Sequence, residues 1–103
     1  MSGDESEYRD KATKLYNDAT ELALNVLSPI STIRLGLLLN YTVFLFEILK
    51  DPTSACDLAK DTLDKAIQEL DDVTGEGRTE VTLILQLLRD NLTIWTADEV
   101  AEN

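Results

Sequence analysis

Two asparagines stand where an apolar helix face would be expected. Asn40 lies in "LLLNYTVFLFE" and Asn91 in "LLRDNLTIW", each an uncharged amide in an apolar neighbourhood. A side-chain amide offers both a donor and an acceptor, which is what a peptide unit requires of a partner. Inside an apolar stripe it must find such partners. Two readings stay open at this level. The amides tie one helix to another, or they line a groove and pair with the backbone of an extended peptide. With helical spacing, Asn40, Val43 and Glu47 project together, as do Ile84, Leu87, Asn91 and Trp95.

Catalytic chemistry finds little material. The chain has no histidine, so it has neither His-activated nucleophiles nor a Glu-x-x-His di-iron site. Cys56 falls on an apolar stripe and reads as a core thiol. The carboxylates fall mostly on solvent faces. No enzyme activity, metal or cofactor is expected. The 20 acidic and 9 basic residues give a net charge of −11, which disfavours nucleic acid and anionic membrane as partners. One cysteine permits no intramolecular disulfide. The first residues, "MSGDESEYRD", are acidic and polar, unlike a signal or transit peptide. No apolar run reaches the ~18 residues of a membrane span. The expected setting is cytoplasmic, and also nuclear.

The elements that must position the amides read as four helices. An apolar share of 44% with only four Gly and two Pro favours long helices in one small domain of 103 residues. Tyr8, Ala12, Leu15, Ala19, Leu22 and Val26 step by three and four and predict a helix over 5–27, ended at Ser28-Pro29. A second helix over 32–50 is apolar nearly all round. Leu35, Leu38, Thr42, Leu45 and Leu49 share one face, and Gly36, Asn40, Val43, Phe44 and Glu47 the other. Such a helix is buried between layers or has one face on a cleft. Asp51-Pro52 starts a third, over 52–73, with Cys56, Ala59, Leu63, Ala66, Ile67 and Leu70 as its stripe. "TGEGR" reads as a Gly-rich loop that cradles no phosphate. A fourth helix over 79–96 carries Ile84, Leu87, Leu88, Asn91 and Trp95 on one face, with Thr82, Gln86, Arg89 and Thr93 behind. An acidic tail follows at 97–103. Short connections make neighbours antiparallel, so the expected fold is all-α, an antiparallel array of four helices.

At these residues the chain resembles the C-terminal part of the 14-3-3 family of phosphoserine/phosphothreonine-binding adaptors. "IRLGLLLNYTVFLFEIL" looks like the family's seventh-helix signature, and "LILQLLRDNLTIWT" like that of its last helix. "ACDLAKDTLDKAIQELD" is similar to the helix between them. The resemblance runs from about Ser2 to Ala97. It implies that Asn40 and Asn91 bond the backbone of a bound peptide. It implies that Trp95 and Glu47 bond ligand polar groups or hold the site together. Leu39, Val43, Leu83, Ile84 and Leu87 correspond to the family's apolar wall.

The resemblance also implies what is missing. A family member is more than twice as long, dimerises through its first helices, and grips phosphate with a Lys, an Arg and an adjacent Arg-Tyr pair. None of these four has a counterpart here; Tyr8-Arg9 lies in the wrong helix and the wrong order. "SGDE" looks like the loop just after the Arg-Tyr helix, so the chain is expected to be an expressed fragment or a truncated gene product. Leu38, Leu45, Phe46 and "SPIST" depart from the family pattern. The expected function is the backbone-reading and apolar half of a phosphopeptide groove. Its partners are phosphorylated proteins in a homo- or heterodimeric parent. The alternative is an interaction piece without phosphate recognition, self-associating through apolar surface left uncovered on the second helix.

Overall fold

The computed structural model describes the backbone of residues 2–102 and the side chains of residues 5–97. Four helices follow one another: α1 (Ser2–Val26), α2 (Thr32–Glu47), α3 (Pro52–Glu69) and α4 (Gly75–Glu102). A 3-10 turn at Leu70–Asp72 links the last two, and no strand occurs among the described residues.

Contacts fix the directions. Leu35, early in α2, packs with Ala66 late in α3 and Val81 early in α4. Tyr41 and Leu45, late in α2, pack with Ala55 and Cys56 early in α3 and with Trp95 far along α4. Successive helices are therefore antiparallel, and α2 and α4 run side by side in the same direction. α1 returns along the other side of α2, where Tyr16 stacks on Tyr41 with ring centres 5.0 Å apart.

Local chemistry sets the ends. Ser31 caps α2, its hydroxyl accepting from the Arg34 amide at 3.3 Å. The buried Arg34 guanidinium donates to the Leu27 carbonyl at 2.9 Å and so occupies an orphan acceptor beyond the end of α1. Asp51 caps α3 by accepting from the Ser54 amide at 3.1 Å, and hydrogen bonding from the Ser54 side chain and then from its amide holds the Asp51 carboxyl below the usual carboxylate range. Pro52 occupies the first turn.

Four helix ends differ from the sequence expectation. α2 stops at Glu47, not Lys50, because its last turn unwinds: the Leu49 amide donates to Phe44 and the Asp51 amide to Leu45, with Lys50 at a left-handed φ of 55°. The third helix tightens into the 3-10 turn before residue 73. α4 begins at Gly75 rather than Thr79, so most of "TGEGR" is helix and only Val73 and Thr74 connect. Gly75 takes φ 69°, which costs a glycine little. Arg78 holds the corner by donating to the carbonyls of Leu70, at 3.0 Å, and Val73, at 3.4 Å. α4 also continues to Glu102 where an acidic tail was expected; the side chains of that tail from 98 onward, and Asn103 entirely, lie outside the described residues.

The stripes differ as well. α3 buries Ala55, Cys56, Ala59, Thr62, Leu63 and Ala66 but leaves Ile67 exposed. α4 turns Val81, Leu85, Leu88 and Trp95 inward, with Leu92 half-buried between them. The expected stripe shares only Leu88 and Trp95 with this set. α4 is apolar over more than half its circumference, and the core takes one edge of that arc. α1 meets α2 through Tyr16 and the small Ala23, while Tyr8, Leu15, Leu22 and Val26 stay exposed. The uncovered apolar surface therefore lies mainly on α1, not on the second helix, which is enclosed on most sides. The array is a slab of 49 × 34 × 19 Å, about two helix diameters thick. Its radius of gyration of 14.8 Å exceeds the ~13 Å usual for this length.

Two outcomes follow. Leu88→Ala should cost about 2–5 kcal/mol in urea unfolding, while Leu87→Ala, on the open side of the same helix, should cost about 0.5 kcal/mol. Burial pushes the Tyr41 hydroxyl above its ordinary value near 10 while it donates to Asn17. The folded state thus disfavours the phenolate more than the unfolded chain does. That stability is complete below about pH 10 and is lost as pH rises through the raised value. The urea midpoint of Tyr41→Phe should therefore fall less on going from about pH 8 to about pH 11 than that of the unaltered chain.

Candidate peptide-binding surface

The seam between α2 and α4 gathers most of the residues singled out by sequence. Leu39 from α2 and Ile84 from α4 pack against the cluster around Leu35 and Leu88. Val43 from α2 packs against the cluster that holds Trp95. Leu92 touches both clusters and joins them. A hydrophobic strip thus runs along the seam, half-buried at each of these positions except the buried Trp95.

The polar groups stand beside this strip. Asn40 and Glu47 are exposed on α2, on the side opposite Leu38, Thr42 and Leu45. Asn91 is half-buried on α4, one turn beyond Leu87. Leu83 and Leu87 are 58% and 45% exposed, so the wall they form is open to solvent. Neither the Asn40 nor the Asn91 side-chain amide hydrogen-bonds another residue among those described. The inter-helix bonds that the sequence left open are not made. Asn17 is the contrasting amide: its carbonyl oxygen accepts from the Tyr41 hydroxyl and joins α1 to α2.

Trp95 is placed differently from the rest. It is 6% exposed, with its ring stacked on Phe46 at 4.7 Å and an interplanar angle of 12°. Its ring supports the far end of the strip from beneath. Phe46, singled out in the sequence only as a departure from the family pattern, is the residue on which it rests. The signal for that pairing was the helical spacing of Val43 and Phe46, which places both on the α4 side of α2. Leu38 and Leu45, two further departures, are buried, Leu45 against Ala55 and Cys56 of α3.

Cations are not arranged around this surface. Arg34 is buried and engaged with Leu27, and Arg78 is engaged at the α3–α4 corner. Arg89 lies on the polar back of α4 with Thr82, Gln86 and Thr93, all exposed. Lys60 and Lys65 project from the outer face of α3. A hollow of about 400 Å³ near the start of α4 is lined by Gly75, Arg78, Thr79, Thr82, Leu83 and Gln86, and it meets the candidate wall only at Leu83. Among the described residues no group of three carboxylate or thiol side chains is set to hold a metal ion, and no helix is long and apolar enough to cross a membrane.

An all-α array with an apolar strip edged by idle amides defines a helical protein with an open apolar surface along its α2–α4 seam. The family model described as 14-3-3 protein matches residues 2–96. Over 83 residues, 81% of this chain and 32% of the relative, the sequence is 57% identical to 14-3-3-like protein B of Hordeum vulgare. Over 102 residues, 99% of this chain and 41% of the relative, it is 47% identical to 14-3-3-like protein 1 of Caenorhabditis elegans. It is 50% identical over 92 residues to the checkpoint signal transducer rad25 of Schizosaccharomyces pombe, covering 89% of this chain and 34% of that one. The chain belongs to the 14-3-3 family, whose members are adaptor proteins and not enzymes. It spans about a third to two fifths of the length of these relatives.

The idle amides yield a direct test. Asn40→Ala and Asn91→Ala should each change stability by no more than about 0.5 kcal/mol, since neither removes a bond the fold uses. Trp95→Ala should cost about 3–5 kcal/mol by emptying the space over Phe46. Urea unfolding followed by circular dichroism reads all three. A large loss from either Asn variant would mean that the amide serves the fold.

Proposed function

We propose that the chain is the apolar, backbone-reading half of an adaptor's phosphopeptide groove. Asn40 and Asn91 bond the main chain of an extended ligand, and Leu39, Val43, Leu83, Ile84 and Leu87 pack its side chains. Glu47 meets ligand polar groups, and Trp95 holds the far end of the strip in place. The observation that carries this reading is the pair of amides without protein partners at the edge of an exposed apolar strip. Each combines a donor and an acceptor, the complement of one peptide unit. Family membership supports an adaptor role toward phosphorylated protein partners and dimerisation of the longer relatives. A cytoplasmic setting, extending to the nucleus, goes with that role.

Phosphate recognition is the part this chain does not supply. A phosphoryl group brings nearly two negative charges, and the chain carries −11. Charge-assisted bonds from Arg contribute roughly 1.5–3 kcal/mol each. Lacking three of them lowers affinity by on the order of 5 kcal/mol, several thousand-fold. The absence of a cationic cluster beside Asn40 and Asn91 also favours a second reading, an interaction piece indifferent to phosphate.

Calorimetry with a phosphoserine peptide and its unphosphorylated twin separates the two. The proposed module binds both weakly and about equally, and Asn40→Ala or Asn91→Ala weakens each by about 0.5–1.5 kcal/mol. Binding that ignores both Asn variants would leave the interaction piece standing. Sub-micromolar, phosphate-dependent binding would contradict the missing grip and require a cationic site elsewhere.

A further inference from the structure

The chain has 20 carboxylate side chains, yet none falls between Glu21 and Glu47. The one charged side chain in that interval is Arg34. It is 7% exposed and donates to the Leu27 carbonyl at 2.9 Å. No carboxylate partners it among the described residues. A guanidinium has five donors, so this one can take further acceptors while it keeps that carbonyl.

Ser28 follows Leu27 directly. It is exposed, lies outside both helices, and opens a turn in which its carbonyl accepts from the Ser31 amide at 3.0 Å. Pro29 takes the second place of that turn, which its fixed φ suits. Two other hydroxyls stand outside the helices among the described residues. Ser31 is half-buried and already caps α2. Thr74 precedes a glycine and has Asp71, Asp72 and Glu76 beside it in sequence.

We propose that Ser28 is a phosphorylation site for a proline-directed protein kinase, and that Arg34 holds the phosphate it receives. In the transfer the Ser28 Oγ attacks the γ-phosphorus of ATP. The new O–P bond forms as the bond from that phosphorus to the bridging oxygen breaks. ADP leaves, and the hydroxyl proton passes to a carboxylate of the kinase. Pro29 is the following residue that such a kinase selects.

The product is stabilised by what surrounds it. The peptide unit that Arg34 holds ends at the Ser28 Cα, so the guanidinium lies within a side chain's length of the modified oxygen. Phosphate brings nearly two negative charges and three acceptor oxygens, and Arg meets it with a planar fork. The N-terminus of α2 adds partial positive charge a few residues further on. Over most of this chain a dianion would meet carboxylates close in sequence; at Ser28 the nearest are Glu21 and Glu47. Asp71 and Asp72, at the α3–α4 corner on the same end of the array, are the groups that oppose it. The bridge fastens the α1–α2 loop to α2 beside the existing Arg34–Leu27 bond. The proposal does not rest on the peptide-binding reading, because residues 27–34 include neither amide.

The test treats the 103-residue chain with ATP and a proline-directed kinase that modifies a short control Ser-Pro peptide. Tandem mass spectrometry should find one phosphoryl group, on Ser28. Ser28→Ala should abolish the modification, and Pro29→Ala should slow it severely. A chain left unmodified, or modified at Thr74 instead, would overturn the site. Phosphorus NMR then follows the second ionisation of the phosphate against pH. Pairing with Arg34 should bring it below its ordinary value of about 6. An ordinary or raised value would assign the phosphate to solvent or to Asp71 and Asp72, and would overturn the partnership. Arg34→Lys keeps a cation but loses the fork. Ser28 should be modified in that variant as before, with a smaller lowering of the ionisation; a lowering as large as in the unaltered chain would also count against Arg34. In urea unfolding the phosphorylated chain should favour the folded state about ten-fold more than the unmodified one. That gain should shrink in high salt. A loss of stability on phosphorylation, or a gain indifferent to salt, would contradict the bridge.

Discussion

Three alanines on α3 let two other helices close on it. Ala55, Ala59 and Ala66 are fully buried and present nothing larger than a methyl group toward α2 and α4. Small residues at a crossing shorten the distance between helix axes. Leu35 and Leu88, both wholly enclosed, fill the space that remains, and Val81 and Leu85 seal it toward the α3–α4 corner. Replacing any of these alanines with a larger side chain would push α3 off the pair and open the core. With α3 fixed beneath them, α2 and α4 are held side by side, and the faces they turn away from α3 become one continuous surface.

That surface is made of groups the fold does not use. None of the Asn40, Asn91 and Glu47 side chains has a hydrogen bond or ion pair within the described chain. Leu83 and Leu87 contribute little to the core. These side chains are therefore not committed to the fold. Trp95 is the exception: the core needs it, and through Phe46 it also fixes one end of the strip. Core and exposed apolar surface are divided along α4 by about a quarter turn, with Leu88 on one side of the division and Leu87 on the other.

The division explains what the sequence disclosed and what it did not. Helix number and order were legible because Pro29, Pro52 and the three- and four-residue steps act through the local backbone. The α2 faces were legible too, since Asn40 and Glu47 interrupt one side. The choice of stripe on α1 and α4 was not. Each of these helices is apolar over so wide an arc that periodicity alone allows several edges to face inward. Which edge is buried depends on where the neighbouring helix lies, and on α1 the small Ala23 is buried while the larger Leu22 stays exposed. The "TGEGR" segment misled for a related reason. Glycines there suggest a loop, yet one left-handed residue, Gly75, is enough to turn the corner, and Arg78 then ties it shut. Asn40 and Asn91 were visible as anomalies from the start, but only their missing partners in three dimensions separate an idle amide from an inter-helix tie.

α1 is attached chiefly to α2, by Tyr16 against the rings of Tyr41 and Phe44, by the Tyr41–Asn17 bond and, just past its end, by the Arg34–Leu27 bond. The other three helices share two interlocked clusters. Opening free energy is therefore unevenly spread along the chain. The seam between α1 and α2 is the thinnest in the array, so the amides of α1 should exchange with solvent deuterium before those of α2 to α4. In this arrangement a three-helix block carries a latch.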